Sequence, residues 1–170
     1  MQLLVIGINH STASVDLREQ LVFAAESQVA ALQDLSAALR CENAIVESGA
    51  DNCVSMSSNK AEAVILSTCN RTELILGVAD DVHEQAVAWL ANYHGVDAER
   101  FIEHVYVYQA QQALKHLMSV TSGLDSLILG EPQIFGQMKS AYAVARQAGT
   151  LGTSLKPVFQ QVFATAKKVR

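Results

Sequence analysis

The chain has 170 residues, of which 50% are hydrophobic and 17% are charged, and this is typical of a globular protein with a sizeable core. The composition excludes a disordered chain. No apolar run approaches the roughly 20 residues that cross a bilayer. The first ten residues are predicted to form a strand and lack the basic start of a secretory signal, so we expect a cytoplasmic protein with no membrane partner.

The charges are distributed unevenly along the chain, whose formal net charge is −5. Residues 1–131 contain all 17 acidic side chains, and residues 132–170 contain none. The second segment carries six of the 12 basic side chains: Lys139, Arg146, Lys156, Lys167, Lys168 and Arg170. A basic end on an acidic body favours a polyanionic or acidic partner, although solvated helix faces would give the same pattern.

The first half of the chain is predicted to alternate between strands and a helix. Leu3–Ile8 is an apolar run of strand length, and residues 17–40 have the apolar spacing of one helix. The polar residues 41–61 are predicted to form a surface insertion or loop. Glu62–Ser67 and Glu73–Val78 then have strand character on either side of a polar turn.

The order of the predicted elements indicates a fold class. Asp81 and Glu84 match a capping box for a helix that ends at Gly95, and Val105–Tyr108 is a fourth predicted strand. The resulting order, strand–helix–strand–strand–helix–strand, predicts an α+β chain with a ferredoxin-like split βαβ (βαββαβ) domain.

Helices are predicted to follow this domain. Residues 110–118 carry an apolar stripe, and a second helix has Pro132 in its first turn and Gly149 at its end. A last helix starts near Ser154. Its stripe reaches Arg170 without a stop signal, so we expect this helix to continue in a longer protein.

Cys69 is the candidate nucleophile, because it lies where an apolar strand gives way to a polar turn. A neighbouring cation stabilises a thiolate, and Arg71 is close enough in sequence to do this or to bind a substrate carboxylate through its planar guanidinium. Thr68 and Asn70 add short polar groups suited to an α-amino acid. A buried cysteine beside a structural arginine would have the same spacing. The other two cysteines, Cys41 and Cys53, form no CxxC pair with it, and we predict no metal site.

His116 lies at the edge of the 110–118 stripe, where it would be either half-buried near a site or at the surface. After it, polar side chains interrupt a hydrophobic run around Gly130, and a bound ligand could supply the partners that such groups need. These side chains are Asp125, Ser126, Glu131, Gln133 and Gln137. The sequence has no GxGxxG motif and no P-loop, so it lacks the usual phosphate cradle of a dinucleotide site.

Three stretches resemble signature segments of glutamyl-tRNA reductases and occur in the same order: Gly7–Ala13, Leu66–Leu74 and His116–Lys139. The resemblance covers nearly the whole chain apart from residues 41–61. It implies an N-terminal catalytic domain over residues 1–150 and the start of a connecting spinal helix over residues 151–170. It also implies that NADPH-binding and dimerisation domains lie outside this chain.

The resemblance further implies an activity, the NADPH-dependent conversion of glutamyl-tRNA to glutamate-1-semialdehyde at the first step of tetrapyrrole (5-aminolevulinate, porphyrin) biosynthesis. Cys69 would attack the aminoacyl ester and form a thioester, with His116 as a base or an orienting group. Arg71 would pair with the glutamyl carboxylate. The residues implied to hold the glutamyl group are Thr68, Asn70, Arg71, Ser126, Glu131, Pro132, Gln133 and Gln137.

The implied partners are glutamyl-tRNA, a second copy in a full-length homodimer, and the aminomutase that takes the semialdehyde. The implied cofactor is NADPH, held by a domain outside this chain. Two alternatives stay open from the residues alone. A ferredoxin-like module could bind an amino acid or RNA without catalysis, and a stand-alone cysteine esterase would need His116 beside Cys69.

Overall fold

The computed structural model describes residues 2–39 and 61–170. The predicted insertion over residues 41–61, except for Ala61, therefore lies outside the described residues, and so do Cys41 and Cys53. Within the described ranges, no helix is long and apolar enough to span a bilayer. The same ranges contain no group of three or more histidine, cysteine or acidic side chains placed to hold a metal ion.

The described residues form four strands and seven helices. The strands are β1 (Gln2–Asn9), β2 (Glu62–Ser67), β3 (Arg71–Val78) and β4 (Tyr106–Gln109). The helices are α1 (Val15–Gln20), α2 (Gln28–Ala38), α3 (His83–His94), α4 (Ala98–Ile102), α5 (Ala110–Thr121), α6 (Gln133–Ala148) and α7 (Leu155–Val169).

The strands form one antiparallel sheet in the order β2-β3-β1-β4. This order places β3 between the two strands that the first helical connection joins, which is the arrangement of the ferredoxin-like split βαβ fold. The predicted fold class is confirmed, and further helices follow the sheet, as expected.

Helices cover both faces of the sheet. The side chains of β3 point alternately to the two faces, and their contacts show which helices lie on each. The Thr72 hydroxyl donates to the Leu21 carbonyl between α1 and α2 at 3.1 Å, so the even-numbered residues of β3 face the side of α2 and α3. Glu73 points the other way and contacts His116 of α5. Helix α6 packs along β2 and α2, and α7 packs on α5.

The single helix predicted over residues 17–40 is wrong, because the chain forms α1 and α2 with a break between them. Leu21 and Phe23 lie in this break and are buried. The Thr72 hydroxyl binds the Leu21 carbonyl, and the Phe23 N–H donates to Ser67 Oγ at 3.0 Å. These bonds to the sheet replace the helical hydrogen bonds, and the sequence periodicity does not contain them.

Several predicted boundaries also change. The capping box does not form: Val82 is the N-cap of α3, although Asp81 Oδ1 still accepts the His83 N–H at 3.2 Å. Pro132 caps α6 and precedes its first turn. The short helix α4 was not predicted. The predicted helix ends are confirmed at Gly95 and Gly149, whose φ angles of 66° and 73° are left-handed.

Candidate active site

Cys69 lies exposed in the turn between β2 and β3. The Thr68 N–H donates to the Arg71 carbonyl at 2.9 Å, and Thr68 Oγ1 accepts the N–H groups of Asn70 and Arg71 at 3.2 and 3.1 Å. A short hydroxyl side chain at position 68 thus closes the turn and presents the thiol. Arg18 of α1 donates to Asn70 Oδ1 at 3.3 Å, so a second cation joins the turn.

A cleft beside this turn brings together most of the residues predicted to hold a glutamyl group. Its walls come from the β2–β3 turn, the loop after α5 and the first turns of α6. The residues that line it are Thr68, Cys69, Asn70, Arg71, Ser126, Leu127, Glu131, Ile134 and Gln137.

Three of the predicted site residues do not line this cleft. Pro132 is exposed at the cap of α6. Gln133 lines a neighbouring groove that also includes Gln137. His116 lies in the interior, where its side chain is 10% exposed.

Arg71 connects the cleft with the interior of the protein. Its side chain is 2% exposed, and Nη1 donates to Glu73 Oε1 at 2.8 Å. Nη2 donates to Asp125 Oδ2 at 3.0 Å and also to the Asp125 carbonyl. Two carboxylates therefore already hold the guanidinium that was predicted to bind a substrate carboxylate.

Glu73, which lies behind Arg71 in the interior, accepts hydrogen bonds from three donors. Its Oε1 accepts the Tyr106 hydroxyl at 2.6 Å and His116 Nε2 at 2.8 Å, in addition to the arginine. The His116 ring lies against Tyr106 and Tyr108, with ring centroids 5.4 and 4.6 Å apart. The imidazole is therefore held by a carboxylate and two aromatic rings.

The electrostatics of this cluster keep Glu73 ionised. Burial alone would raise its pKa, but His116, followed by Arg71, outweighs burial and lowers the pKa to about 2. Burial acts to lower the pKa of Arg71, and the Glu73 charge raises it. Burial and the same carboxylate raise the pKa of Tyr106. Arginine and tyrosine therefore both remain protonated donors around one anion.

Gly7 of β1 makes room for this cluster. The sheet register pairs Gly7 with Glu73 on one side and with Tyr106 on the other. A Cβ at Gly7 would lie 2.8 Å from Glu73 Cγ and 2.5 Å from the Thr72 carbonyl oxygen. The absence of a side chain lets Glu73 reach across β1 to Tyr106.

Glu73 and Tyr106 were missed by the sequence-based reasoning. Arg71 and Glu73 are two residues apart on a strand and share a face, so the alternation contained a signal for Glu73. No local signal exists for Tyr106, because its contact depends on the register of β1 with both neighbours.

The loop between α5 and α6 carries Asp125 and Ser126 to the cleft. The Gly130 N–H donates to the Gly123 carbonyl at 2.9 Å and closes the loop at its base. Both glycines are left-handed, with φ angles of 78° and 79°. The large apolar side chains of this loop are more than half exposed: Leu124, Leu127, Ile128 and Leu129.

Comparisons with known proteins agree on one family. The sequence model described as "Glutamyl-tRNAGlu reductase, N-terminal domain" matches residues 6–170. Proteins named glutamyl-tRNA reductase from Pseudomonas paraeruginosa and Pseudomonas savastanoi pv. phaseolicola are 47% and 49% identical to the whole chain. The chain covers 36% of each, so it spans about a third of the length of the curated relatives it matches.

A solved structure is similar over the same extent. Glutamyl-tRNA reductase from Methanopyrus kandleri superposes with a TM-score of 0.71 at 27% sequence identity. The match covers 99% of this chain and 34% of that one.

Proposed function

The chain belongs to the glutamyl-tRNA reductase family, as its N-terminal domain, and on this premise we propose that it removes the glutamyl group from glutamyl-tRNA with Cys69 as the nucleophile. The observation that supports this most directly is the cleft, in which the exposed thiol lies among polar side chains suited to an amino acid. A non-catalytic binding module would not need an exposed thiol at this point.

The proposed step is a transesterification. The Cys69 sulfur attacks the ester carbonyl carbon, a C–S bond forms, and the C–O bond to the terminal ribose breaks. The ribose oxygen leaves with the proton that the thiol has lost. The products are a glutamyl thioester on the chain and a free tRNA hydroxyl.

Recognition of the glutamyl side chain is proposed for Arg71. Because Glu73 is fully buried and Asp125 is 40% exposed, the substrate carboxylate would take the place of Asp125 at Nη2. Glu73 would keep its hold on Nη1 and orient the planar guanidinium toward the cleft. Replacement of one carboxylate by another leaves the charge on the arginine compensated.

His116 is proposed as a positioning residue that acts through Glu73. Its Nε2 is engaged by the Glu73 carboxylate, and the imidazole does not line the cleft that contains Cys69. This arrangement does not support a stand-alone cysteine esterase, which would need an imidazole beside the thiol. The orienting role, left open by the sequence, is the one we adopt.

The remaining parts of the reaction are proposed to lie outside these residues. NADPH supplies the hydride that reduces a thioester to an aldehyde, and we place its site in another domain because this sequence has no glycine-rich phosphate cradle. The product would be glutamate-1-semialdehyde for tetrapyrrole synthesis in the cytoplasm. A homodimer and a contact with the aminomutase are proposed only for the full-length protein.

The approach of tRNA is proposed to involve the basic end of the chain. The six basic side chains of residues 132–170 are all exposed. Lys139 Nζ lies 4.5 Å from the centroid of the Phe135 ring. None of the six forms an ion pair with a described acidic residue, so their charges are available to phosphates.

Intact-mass analysis of the chain after incubation with glutamyl-tRNA and an acid quench tests the proposal. We expect a glutamyl adduct that Cys69→Ser abolishes, because only the thiolate has the required nucleophilicity. Cys41→Ser and Cys53→Ser are the matched controls and should keep the adduct. Binding of glutamyl-tRNA without any adduct would instead identify a binding module, and an adduct in Cys69→Ser would remove Cys69 from its role.

A further inference from the structure

Arg18 reaches the turn that carries Cys69 from a different part of the chain. It belongs to the six-residue helix α1, and its Nη1 donates to Asn70 Oδ1 at 3.3 Å. The two residues are 52 positions apart, so this contact exists only in the folded protein. Asn70 follows Cys69 directly and lines the cleft with it, whereas Arg18 does not line the cleft. Arg18 can therefore act on the contents of the cleft through Asn70.

The packing of Arg18 does not explain its position by stability. The residue is half-buried, and it forms no ion pair with a described acidic residue. Its Nε atom is buried and donates to no described residue. A guanidinium that is partly removed from water without a carboxylate partner makes folding less favourable. The bond to Asn70 is therefore the feature of Arg18 that calls for a function.

This bond decides which way the Asn70 carboxamide points. An arginine side chain can only donate, so the atom that faces it is the carbonyl oxygen and not the NH₂ group. Asn70 Nδ2 consequently lies on the branch directed away from Arg18, and it donates to no described residue. A cation on the oxygen also polarises the amide and strengthens its N–H groups as donors. The residue next to the thiol thus carries an oriented donor without a partner.

We propose that Asn70 Nδ2 stabilises the negative charge on the ester carbonyl oxygen during acylation of Cys69, and that Arg18 is the positioning residue that orients this donor. The inference rests on the proposed function. As the sulfur attacks, an electron pair of the C=O double bond moves onto the oxygen, and it returns when the bond to the ribose oxygen breaks. Nδ2 keeps its proton throughout, and its hydrogen bond is strongest while the oxygen is charged.

The loss of Arg18 should slow acylation because the carboxamide would then be able to turn over. In one orientation Nδ2 still donates to the charged oxygen. In the other orientation Oδ1 faces the developing negative charge and repels it. Removal of one such donor slows acyl transfer by about 100-fold to 1,000-fold. A donor that is correctly oriented only part of the time loses a part of this effect, so we expect Arg18→Leu to acylate about tenfold more slowly.

Acylation of Cys69 by the α-benzyl thioester of glutamate, followed by intact mass at several substrate concentrations, tests the inference. This compound has no phosphate, so a contact between Arg18 and tRNA does not contribute. Arg18→Leu should lower the maximum rate about tenfold and leave the half-saturating concentration unchanged, as expected for an interaction made in the transition state. Arg18→Lys keeps a charged donor and should restore the rate to within about threefold.

Arg100→Leu is the matched control for Arg18→Leu. Arg100 is an exposed arginine on α4 and does not line the cleft, so its loss should leave the rate unchanged. Thermal unfolding of each variant checks that it folds.

Asn70→Asp separates the donor from the bond to Arg18. The carboxylate has the same shape and still accepts from Arg18, but it has no N–H to donate. We expect acylation to slow by about 100-fold or more. Asn70→Ala should slow it by a similar factor, and adding Arg18→Leu to Asn70→Ala should cause no further loss, because the two residues act as one unit.

Alkylation of Cys69 by iodoacetamide distinguishes this role from a direct effect of Arg18 on the thiolate. Alkylation displaces iodide and forms no charged oxygen, so the unmodified chain and Arg18→Leu should be alkylated at equal rates. A matching fall in alkylation would overturn the inference, and so would unchanged acylation in Arg18→Leu or Asn70→Asp, while Cys69 would remain the nucleophile. Failure of the unmodified chain to be acylated would instead overturn the proposed function, and the inference with it.

Discussion

The two carboxylates that hold Arg71 differ in burial, in the element that carries them and in their other partners. Glu73 is 0% exposed, lies on a central strand and binds two further donors from β4 and α5. Asp125 is 40% exposed and lies on a loop whose base is closed by the hydrogen bond between Gly130 and Gly123. The difference teaches that one side of the guanidinium is set by the fold and the other is open to exchange with a ligand.

Burial decides how much each contact contributes. A buried charge that loses its partner is left without either a counter-charge or water, and this lowers the free energy of unfolding by about 3–5 kcal/mol. An ion pair that is partly exposed typically contributes only about 0–1 kcal/mol, because water and salt compensate for its loss. The two sides of Arg71 should therefore respond very differently to matched substitutions.

Glu73→Gln should have the largest effect. The amide keeps the shape of the side chain but removes the negative charge that Arg71 and His116 face, so we expect the free energy of unfolding to fall by about 3 kcal/mol. Urea denaturation measures it. Tyr106→Phe is the control, because it removes one hydrogen bond and should cost only about 1 kcal/mol. Equal losses in both variants would show that the charge of Glu73 contributes little.

The same carboxylate should determine how the stability of the chain falls at acid pH. The pKa of Glu73 is lowered from 4.5 to about 2. A lowered folded-state pKa gives stability that is complete above pH 4.5 and is lost as the pH falls toward 2, on the order of 3 kcal/mol in total. The free energy of unfolding, measured by denaturation at a series of pH values, should therefore decline less steeply over this window in Glu73→Gln. Glu84→Gln, at an exposed helix position, should keep the slope of the unmodified chain, and identical slopes for all three would contradict the assignment.

Asp125→Asn should have the smallest effect. We expect the free energy of unfolding to change by less than about 1 kcal/mol, since the carboxylate is partly exposed. Acylation of Cys69 by glutamyl-tRNA should not decrease, because the proposed substrate carboxylate takes the place of Asp125. A large loss of stability would make Asp125 part of the rigid framework, and a loss of acylation in a stable variant would assign it a direct role in the site.

Local sequence determined a large part of this protein. The apolar runs and the polar turn between them were sufficient to predict the four strands and their order along the chain, and the Thr68 hydroxyl closes the turn that presents Cys69. Gly95 and Gly149 end helices because the left-handed conformation costs glycine little. These features depend on residues that are close together in the chain, so the local pattern of the sequence is sufficient to predict them.

Tertiary structure alone decided the rest. The helix predicted over residues 17–40 breaks because the sheet binds the backbone at Leu21 and Phe23. Glu73 meets Tyr106 because both flank Gly7 in the register of β1. The groove beside the cleft, which Gln133 lines, exists because β2 is an edge strand that lies next to α6. Each of these contacts joins residues far apart in sequence. Such contacts depend on the order and register of the strands in the sheet, and the local periodicity of the sequence does not predict them.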